Sequence, residues 1–284
     1  MKKRGRLKAY NTKIVITPSL KEVWIYESPI IYHTDKTSAK GCKHLQDSSR
    51  KTFDSMSATG QYDSLKRKQR HYENMRWEVS RLVDCNFDDN TKFLTLTFEN
   101  NIADVQFANT EFKNFIKRLN YHIYHQKKQA LKYIATWEKQ RRGSIHYHVI
   151  FFAFPYIPKP TLENLWGHGF IKINLIQVDS KENHGRYVSK YFSKDLDLKE
   201  HKKKAFFTSQ NLKKPIVKKI VLYPEEQRAL EQEPVIYMKE YDRQTYVNEA
   251  FRIPSQAENS FKSTLVRYYK IKRLQPNKEV DCSG

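Results

Sequence analysis

Cysteine is scarce in this chain of 284 residues, which contains only Cys42, Cys85 and Cys282. They lie far apart, and no two of them have the close spacing that is typical of a structural zinc site. An odd and sparse set also argues against a disulfide framework. The cysteines therefore favour a protein of the reducing cytoplasm.

Long apolar runs are also absent. No segment approaches the ~20 consecutive apolar residues that a membrane-spanning helix needs, and the opening segment MKKRGRLKAYNTK lacks the apolar stretch of a signal peptide. We therefore expect a soluble, cytoplasmic protein. None of the glycines stands in a GxxxxGKS/T motif, so the sequence predicts no phosphate-binding P-loop and no ATP-driven helicase within the chain.

Acidic residues are outnumbered by basic ones. Lys and Arg total 52 against 31 Asp and Glu, which gives a formal net charge of +21, and aromatic residues make up 13% of the chain. A basic surface attracts polyanions, and aromatic rings can stack on unpaired bases. The composition therefore favours a nucleic-acid partner over the alternative of a merely basic, soluble protein.

Hydrophobic periodicity predicts an α+β domain. Leu94, Leu96 and Phe98 alternate with threonines, which predicts a strand with one apolar and one polar face. Further elements are predicted as helices over 104–125 and 187–196 and as strands over 131–138, 144–152 and 170–178. We expect an antiparallel sheet with the 144–152 strand at its centre, helices on one face, and the 187–196 helix crossing near the histidines of that strand.

Composition also predicts three segments along the chain. Residues 1–85 form a mixed, basic N-terminal region, whose polar stretch over 37–64 is typical of a flexible linker. Residues 86–200 contain the periodic elements and form the predicted catalytic domain. Residues 201–284 are Lys-rich at their start and form a predicted accessory region of undefined fold.

The predicted hairpin brings candidate metal ligands together. If residues 141–143 form its loop, Glu138 lies across from His146 and Thr136 across from His148, on one face of the sheet. Two imidazoles and a carboxylate with open positions favour Mn²⁺ or Mg²⁺, although zinc would also bind. The alternative for an isolated His-x-His is a structural pair of histidines, and the apolar run after His148 favours the metal site.

Two tyrosines one helical turn apart are candidate nucleophiles. Tyr187 and Tyr191 share a helix face, with Lys190 and Lys194 as a second such pair beside them. The tyrosine hydroxyl has a pKa near 10, so a neighbouring cation that favours the phenolate assists attack on phosphorus. The lysines can also neutralise charge that builds on a phosphate. The alternative is a tyrosine stripe that packs on the sheet.

Other basic side chains are predicted DNA contacts. We expect Arg141, Arg142 and Arg186 to hold phosphates. Lys202, Lys203 and Lys204 are expected to contact the DNA backbone through electrostatic attraction, and the alternative is that they are simply solvated. His168 and His184 lie near the motifs, and we expect both to be loop residues rather than ligands.

Three segments resemble a known enzyme superfamily. Residues 93–98, 138–148 and 187–194 look like the three ordered motifs of HUH endonucleases, and more narrowly like those of rolling-circle replication initiators of bacterial plasmids and of filamentous or microvirus-like phages. Residues 166–170 and 209–215 are also similar to segments of that group. The resemblance covers roughly residues 90 to 215 and implies an RRM-like palm with a divalent metal.

The resemblance also implies a reaction. A tyrosine would nick single-stranded or hairpin origin DNA, form a 5′-phosphotyrosine link and leave a 3′-hydroxyl for host helicase and DNA polymerase in a bacterial cytoplasm. We assign the first attack to Tyr191 with Lys194 beside it and the second to Tyr187, and the reverse order stays open. The alternatives are a mobilisation relaxase, an HUH transposase, or a non-catalytic basic nucleic-acid-binding protein.

Overall fold

A computed structural model describes residues 7–33, 53–55, 57–140, 142–175, 206–246 and 261–273. The helices are α1 (Ala58–Asn86), α2 (Val105–Tyr124), α3 (Lys159–Trp166) and α4 (Pro224–Glu231). The strands are β1 (Leu7–Ile16), β2 (Leu20–His33), β3 (Lys92–Thr97), β4 (Lys132–Lys139), β5 (Ile145–Phe152), β6 (Ile171–Leu175), β7 (Phe207–Thr208), β8 (Ile216–Ile220), β9 (Val235–Tyr246) and β10 (Phe261–Lys272). No helix in these ranges is long and apolar enough to cross a membrane.

The chain divides into two compact units. The central unit is Thr52–Lys214, and the terminal unit joins Met1–Lys51 to Pro215–Gly284. This division differs from the three segments that composition predicted. The reason is long-range strand pairing, because β1 pairs with β8 and β2 with β10, so the two ends of the sequence share one sheet.

The central unit confirms the predicted α+β architecture. Its antiparallel sheet has the order β6-β3-β5-β4-β7, which places β5, the histidine strand, in the middle as expected. The predicted helix over 104–125 is α2 with its two caps. The Asp104 carboxylate accepts a hydrogen bond from the backbone N–H of Gln106, and His125 ends the helix in the left-handed conformation.

Helices pack on both faces of the central sheet, so the expectation of helices on one face only was wrong. α2 and α3 cover the face that carries Tyr147. α1 covers part of the opposite face through Val79, Leu82 and Val83, which form an apolar stripe at helical spacing and pack near Ile150. A sheet whose two faces are both partly apolar needs a cover on each side.

The terminal unit is a second antiparallel sheet, of order β8-β1-β2-β10-β9. One of its faces forms a small apolar core in which Leu230 of α4 packs with Ile14, Val23, Ile25 and Ile271. The apolar segments near residues 14 and 23 are therefore central strands of this sheet.

Gly169 is the position where a side chain would disturb the central unit most. Its φ is +138°, and an added Cβ would lie 2.6 Å from the backbone nitrogen of Glu99 and 2.7 Å from the carbonyl oxygen of Thr97. We predict that Gly169→Ala lowers the free energy of unfolding by about 2–4 kcal/mol, measured by urea unfolding. Gly143→Ala is the control, since Gly143 also has positive φ but has nothing within 4 Å of the added Cβ. An equal loss in both variants would contradict the steric argument.

Candidate active site

Tyr147 fixes the orientation of β5. Its hydroxyl donates a hydrogen bond to Oδ1 of Asn109 on α2 at 2.7 Å, and its ring stacks on Phe112 with the centroids 4.5 Å apart. The side chain is fully buried, and burial raises the pKa of its hydroxyl far above the ordinary value. Because neighbours along a strand point to opposite faces, His146 and His148 both lie on the other face of the sheet.

The hairpin register agrees with the sequence prediction. Glu138 pairs with His146, and Thr136 pairs with His148, across the antiparallel strands β4 and β5. Gly143 in the connecting loop has a φ of +86°, as the turn requires. The predicted ligand side chains therefore share one face of one hairpin.

Two threonines of β3 face the histidines from the other side. Thr97 pairs with His146 and Thr95 with His148, and their hydroxyls lie 3.4 Å and 3.2 Å from the respective Nδ1 atoms. A partner at Nδ1 orients an imidazole so that Nε2 is the nitrogen available to a ligand. Sequence reasoning did not name these residues as functional, although the alternation in β3 had already placed them on the polar face.

The two Nε2 atoms have different surroundings. His148 Nε2 lies 2.7 Å from Oε1 of Glu138. His146 Nε2 is buried and has no hydrogen-bond partner within the part of the chain that the structure describes. A buried polar atom without a partner costs free energy, and the Nε2 atom of a neutral imidazole can accept a proton donor or bind a cation.

Glu138 does not complete a three-residue cluster with the histidines. Among the described residues, no group of three or more His, Cys, Asp or Glu side chains is arranged to hold a metal ion. Glu138 contacts His148, its diagonal neighbour, rather than His146, with which it is paired in register. The structure thus brings the three predicted ligands onto one face and joins two of them directly.

Burial controls the protonation of His146. The side chain is 5% exposed, and burial lowers its pKa below the ordinary value. Glu138 opposes this shift, whereas His148 and the Arg142 guanidinium add to it. His146 is therefore neutral at physiological pH, which is the form that donates a lone pair to a cation.

The loop between α3 and β6 holds the end of β3 that carries Thr97. The backbone N–H of Thr97 donates to the carbonyl of Phe170 at 2.9 Å, and the Trp166 indole donates to the carbonyl of Thr97 at 3.1 Å. His168 lies in this loop, as expected, with Nε2 2.8 Å from Oε2 of Glu111. That hydrogen bond lowers the pKa of the Glu111 carboxyl.

Most other predicted site residues lie outside the described part of the chain. They are Tyr187, Tyr191, Lys190, Lys194, Arg141, Arg186, Lys202, Lys203 and Lys204, and His184 is outside it as well. Arg142 is described and exposed, and it donates hydrogen bonds to the carbonyl of Phe98 at 3.0 Å and to the side chain of Gln140. Its guanidinium lies at the hairpin end next to the histidines.

The chain is similar to known proteins in two ways, and the first similarity covers this hairpin. Residues 91–196 match the family model of the replication-associated protein ORF2. The chain is also 29% identical over 148 residues to the phasyl DNA replicon protein arp of Escherichia coli, a match that covers 43% of this chain and 50% of that protein. The chain thus spans half the length of this relative. No solved structure matches the chain significantly. Both matches are to proteins described as replication or replicon proteins.

The buried His146 predicts a specific pH dependence of stability. In the unfolded chain a histidine has a pKa near 6.5, whereas in the folded state burial lowers the pKa of His146. Below about pH 6.5 the unfolded state therefore binds more protons, and stability falls with falling pH. We predict that stability, measured by urea unfolding in EDTA, falls less between about pH 7.5 and pH 5.5 in His146→Asn than in the parent.

The matched control is His122→Asn, because His122 is exposed in the last turn of α2. The loss of stability between the two pH values should be smaller in His146→Asn than in this control. Parallel curves for the parent and His146→Asn would contradict the assigned shift.

Proposed function

We propose that the chain is a metal-dependent tyrosine endonuclease that nicks and rejoins single-stranded origin DNA to initiate rolling-circle replication. The observation that carries this proposal is the buried Nε2 of His146, which lies beside His148 on the central strand and has no hydrogen-bond partner among the described residues. The matches to replication proteins and the formal charge of +21 support DNA as the substrate.

His146 and His148 would hold the ion through their Nε2 atoms, with Glu138 as the third ligand. Neutral imidazoles and a carboxylate with open positions suit Mn²⁺ or Mg²⁺. The bound ion would withdraw electron density from the scissile phosphate and so make its phosphorus more electrophilic. The Thr95 and Thr97 hydroxyls would keep the two rings oriented toward the ligand.

The tyrosines would perform the strand transfer. The phenolic oxygen of Tyr191 attacks phosphorus and loses its proton, the bond from phosphorus to the 3′ oxygen breaks, and that oxygen takes up a proton. The products are a 5′-phosphotyrosine and a free 3′-hydroxyl. Tyr187 would make the second cleavage, and attack of a 3′-hydroxyl on the phosphotyrosine rejoins the strand. Lys190 and Lys194 would favour the phenolate and offset charge on the phosphate.

Basic side chains would position the strand. Arg142 is exposed at the hairpin end next to His146 and can hold a phosphate there, and Arg141, Arg186 and the lysines at 202–204 would add further contacts. Host DNA polymerase would extend the free 3′-hydroxyl, and host helicase would unwind the duplex ahead of it. A mobilisation relaxase or an HUH transposase would use the same chemistry, and the matches to replication proteins favour the initiator.

Loss of both imidazoles should slow cleavage strongly. We predict that His146→Ala/His148→Ala nicks a single-stranded origin oligonucleotide about a hundredfold more slowly than the parent at limiting Mn²⁺, because the phosphate is no longer activated. Nicking is measured by gel electrophoresis of an end-labelled strand. His122→Ala is the control and should cut at the parental rate. Normal cutting by the double variant would exclude this metal site.

Loss of both phenols should abolish the covalent intermediate. We predict that Tyr187→Phe/Tyr191→Phe forms no protein–DNA adduct, whereas the parent forms one on the 5′ side of the nick, detected by denaturing gel. Tyr156→Phe is the control, since Tyr156 is 90% exposed in the central unit. An adduct that persists in the double variant would assign the nucleophile to another residue.

A further inference from the structure

One row of side chains crosses the entire sheet of the terminal unit. The strand register places Lys219, Lys13, Trp24, Tyr268 and Lys239 side by side on β8, β1, β2, β10 and β9. Cross-strand partners share a sheet face, so these five residues, named here the cross-sheet row, form one continuous line. With strands ~4.8 Å apart, the line is roughly 19 Å long.

The row has an aromatic centre and cationic ends. The rings of Trp24 and Tyr268 lie 4.9 Å apart, and the Nζ atom of Lys13 lies 4.9 Å from the centre of the Trp24 ring. Lys219 and Lys239 at the two ends are exposed. In the adjacent row Tyr237 is 49% exposed, and its ring lies 6.1 Å from that of Tyr268.

Further aromatic and basic side chains continue the pattern on the same face. Tyr10 packs edge-on against Tyr26 and Tyr32, with centroids 5.7 Å apart in both pairs. Lys219 lies over the rings of Tyr10 and Tyr32, and the Arg243 guanidinium lies 5.7 Å from the centre of the Tyr26 ring. Tyr10 and Tyr26 are buried and form a small apolar cluster with Val266, so at this end of the face the exposed groups are the cations Lys219 and Arg243.

The charge of the face is almost entirely positive. Among the described strand residues on the same sheet face as the row, Glu22 is the one acidic side chain. It is buried and accepts a hydrogen bond from the Tyr268 hydroxyl. The other face of the sheet carries the apolar core with α4. The basic and aromatic face is therefore the face of this sheet that suits an anionic partner.

We propose that this face binds single-stranded DNA as a second surface, in a different unit from the candidate active site. Lysines at both ends of the row match phosphates, and the exposed Tyr237 ring beside Tyr268 can stack on a base. A duplex hides the faces of its bases, so the aromatic centre favours an unpaired strand. The choice of DNA over RNA rests on the proposed function.

The test uses the full chain in EDTA, so that no cleavage intervenes. Fluorescence anisotropy measures the Kd for labelled oligo(dT) over a range of salt concentrations. We expect Lys219→Gln/Lys239→Gln to weaken binding about five- to tenfold at low salt and to reduce the slope of log K against log salt by about 1.4. We expect Tyr237→Leu to weaken binding about fivefold through lost stacking.

The matched control is Lys218→Gln/Lys127→Gln, which removes the same charge from two exposed lysines. Lys218 neighbours Lys219 on β8 but pairs with Ile14, a residue of the apolar core face. A row variant that binds like this control would overturn the proposal. Equal losses for a duplex would overturn the single-strand assignment, and tighter binding of oligo(rU) would overturn the choice of DNA.

The outcome is separable from that of the proposed function. Binding in EDTA depends neither on the histidines nor on the tyrosines of the nicking reaction. If His146→Ala/His148→Ala cuts normally while Lys219→Gln/Lys239→Gln loses binding, the proposed metal site is wrong and the proposed second DNA-binding surface is supported.

Discussion

The candidate site depends on the anchoring of Tyr147 between the two histidines. Its hydroxyl is hydrogen-bonded to Asn109 and its ring stacks on Phe112. A shift of β5 by one residue would therefore place an imidazole in the apolar core and the phenol on the opposite face of the sheet. The same anchor directs His146 and His148 to the opposite face. Packing on one side of the sheet thus determines the chemistry available on the other.

The surroundings of the two histidines hold both imidazole rings in defined orientations. The Thr95 and Thr97 hydroxyls face the Nδ1 atoms from β3, while Glu138 approaches His148 from β4. His146 is left neutral and without a partner at Nε2 among the described residues, which costs folding free energy. Such a cost is common where a protein keeps an atom available for function.

Much of the central unit could be predicted from the sequence because its signals are local. The alternation of Leu94, Leu96 and Phe98 identified β3, and the short loop at 141–143 fixed the register of Glu138 with His146. The packing of α1 on the second face of the sheet could not be predicted. Periodicity identifies an apolar stripe on a helix, but it does not say which sheet face that stripe packs against.

The terminal sheet could not be predicted for the opposite reason. Trp24 pairs with Tyr268, and Thr12 with Ile220, across more than two hundred residues, and no short-range pattern encodes such partners. The cross-sheet row exists only once the strands have been assembled in register, so its residues carry no recognisable motif in the sequence.

The central claim is that His146 and His148 bind a divalent ion through Nε2. The most direct measurement is nitrogen-15 NMR of the histidine side chains during titration with Mn²⁺, which broadens the resonances of nearby nuclei. The account predicts that the Nε2 resonances of His146 and His148 broaden first, at substoichiometric Mn²⁺, while that of the exposed His122 stays sharp. Uniform broadening of all ten histidines, or none at these two, would contradict it.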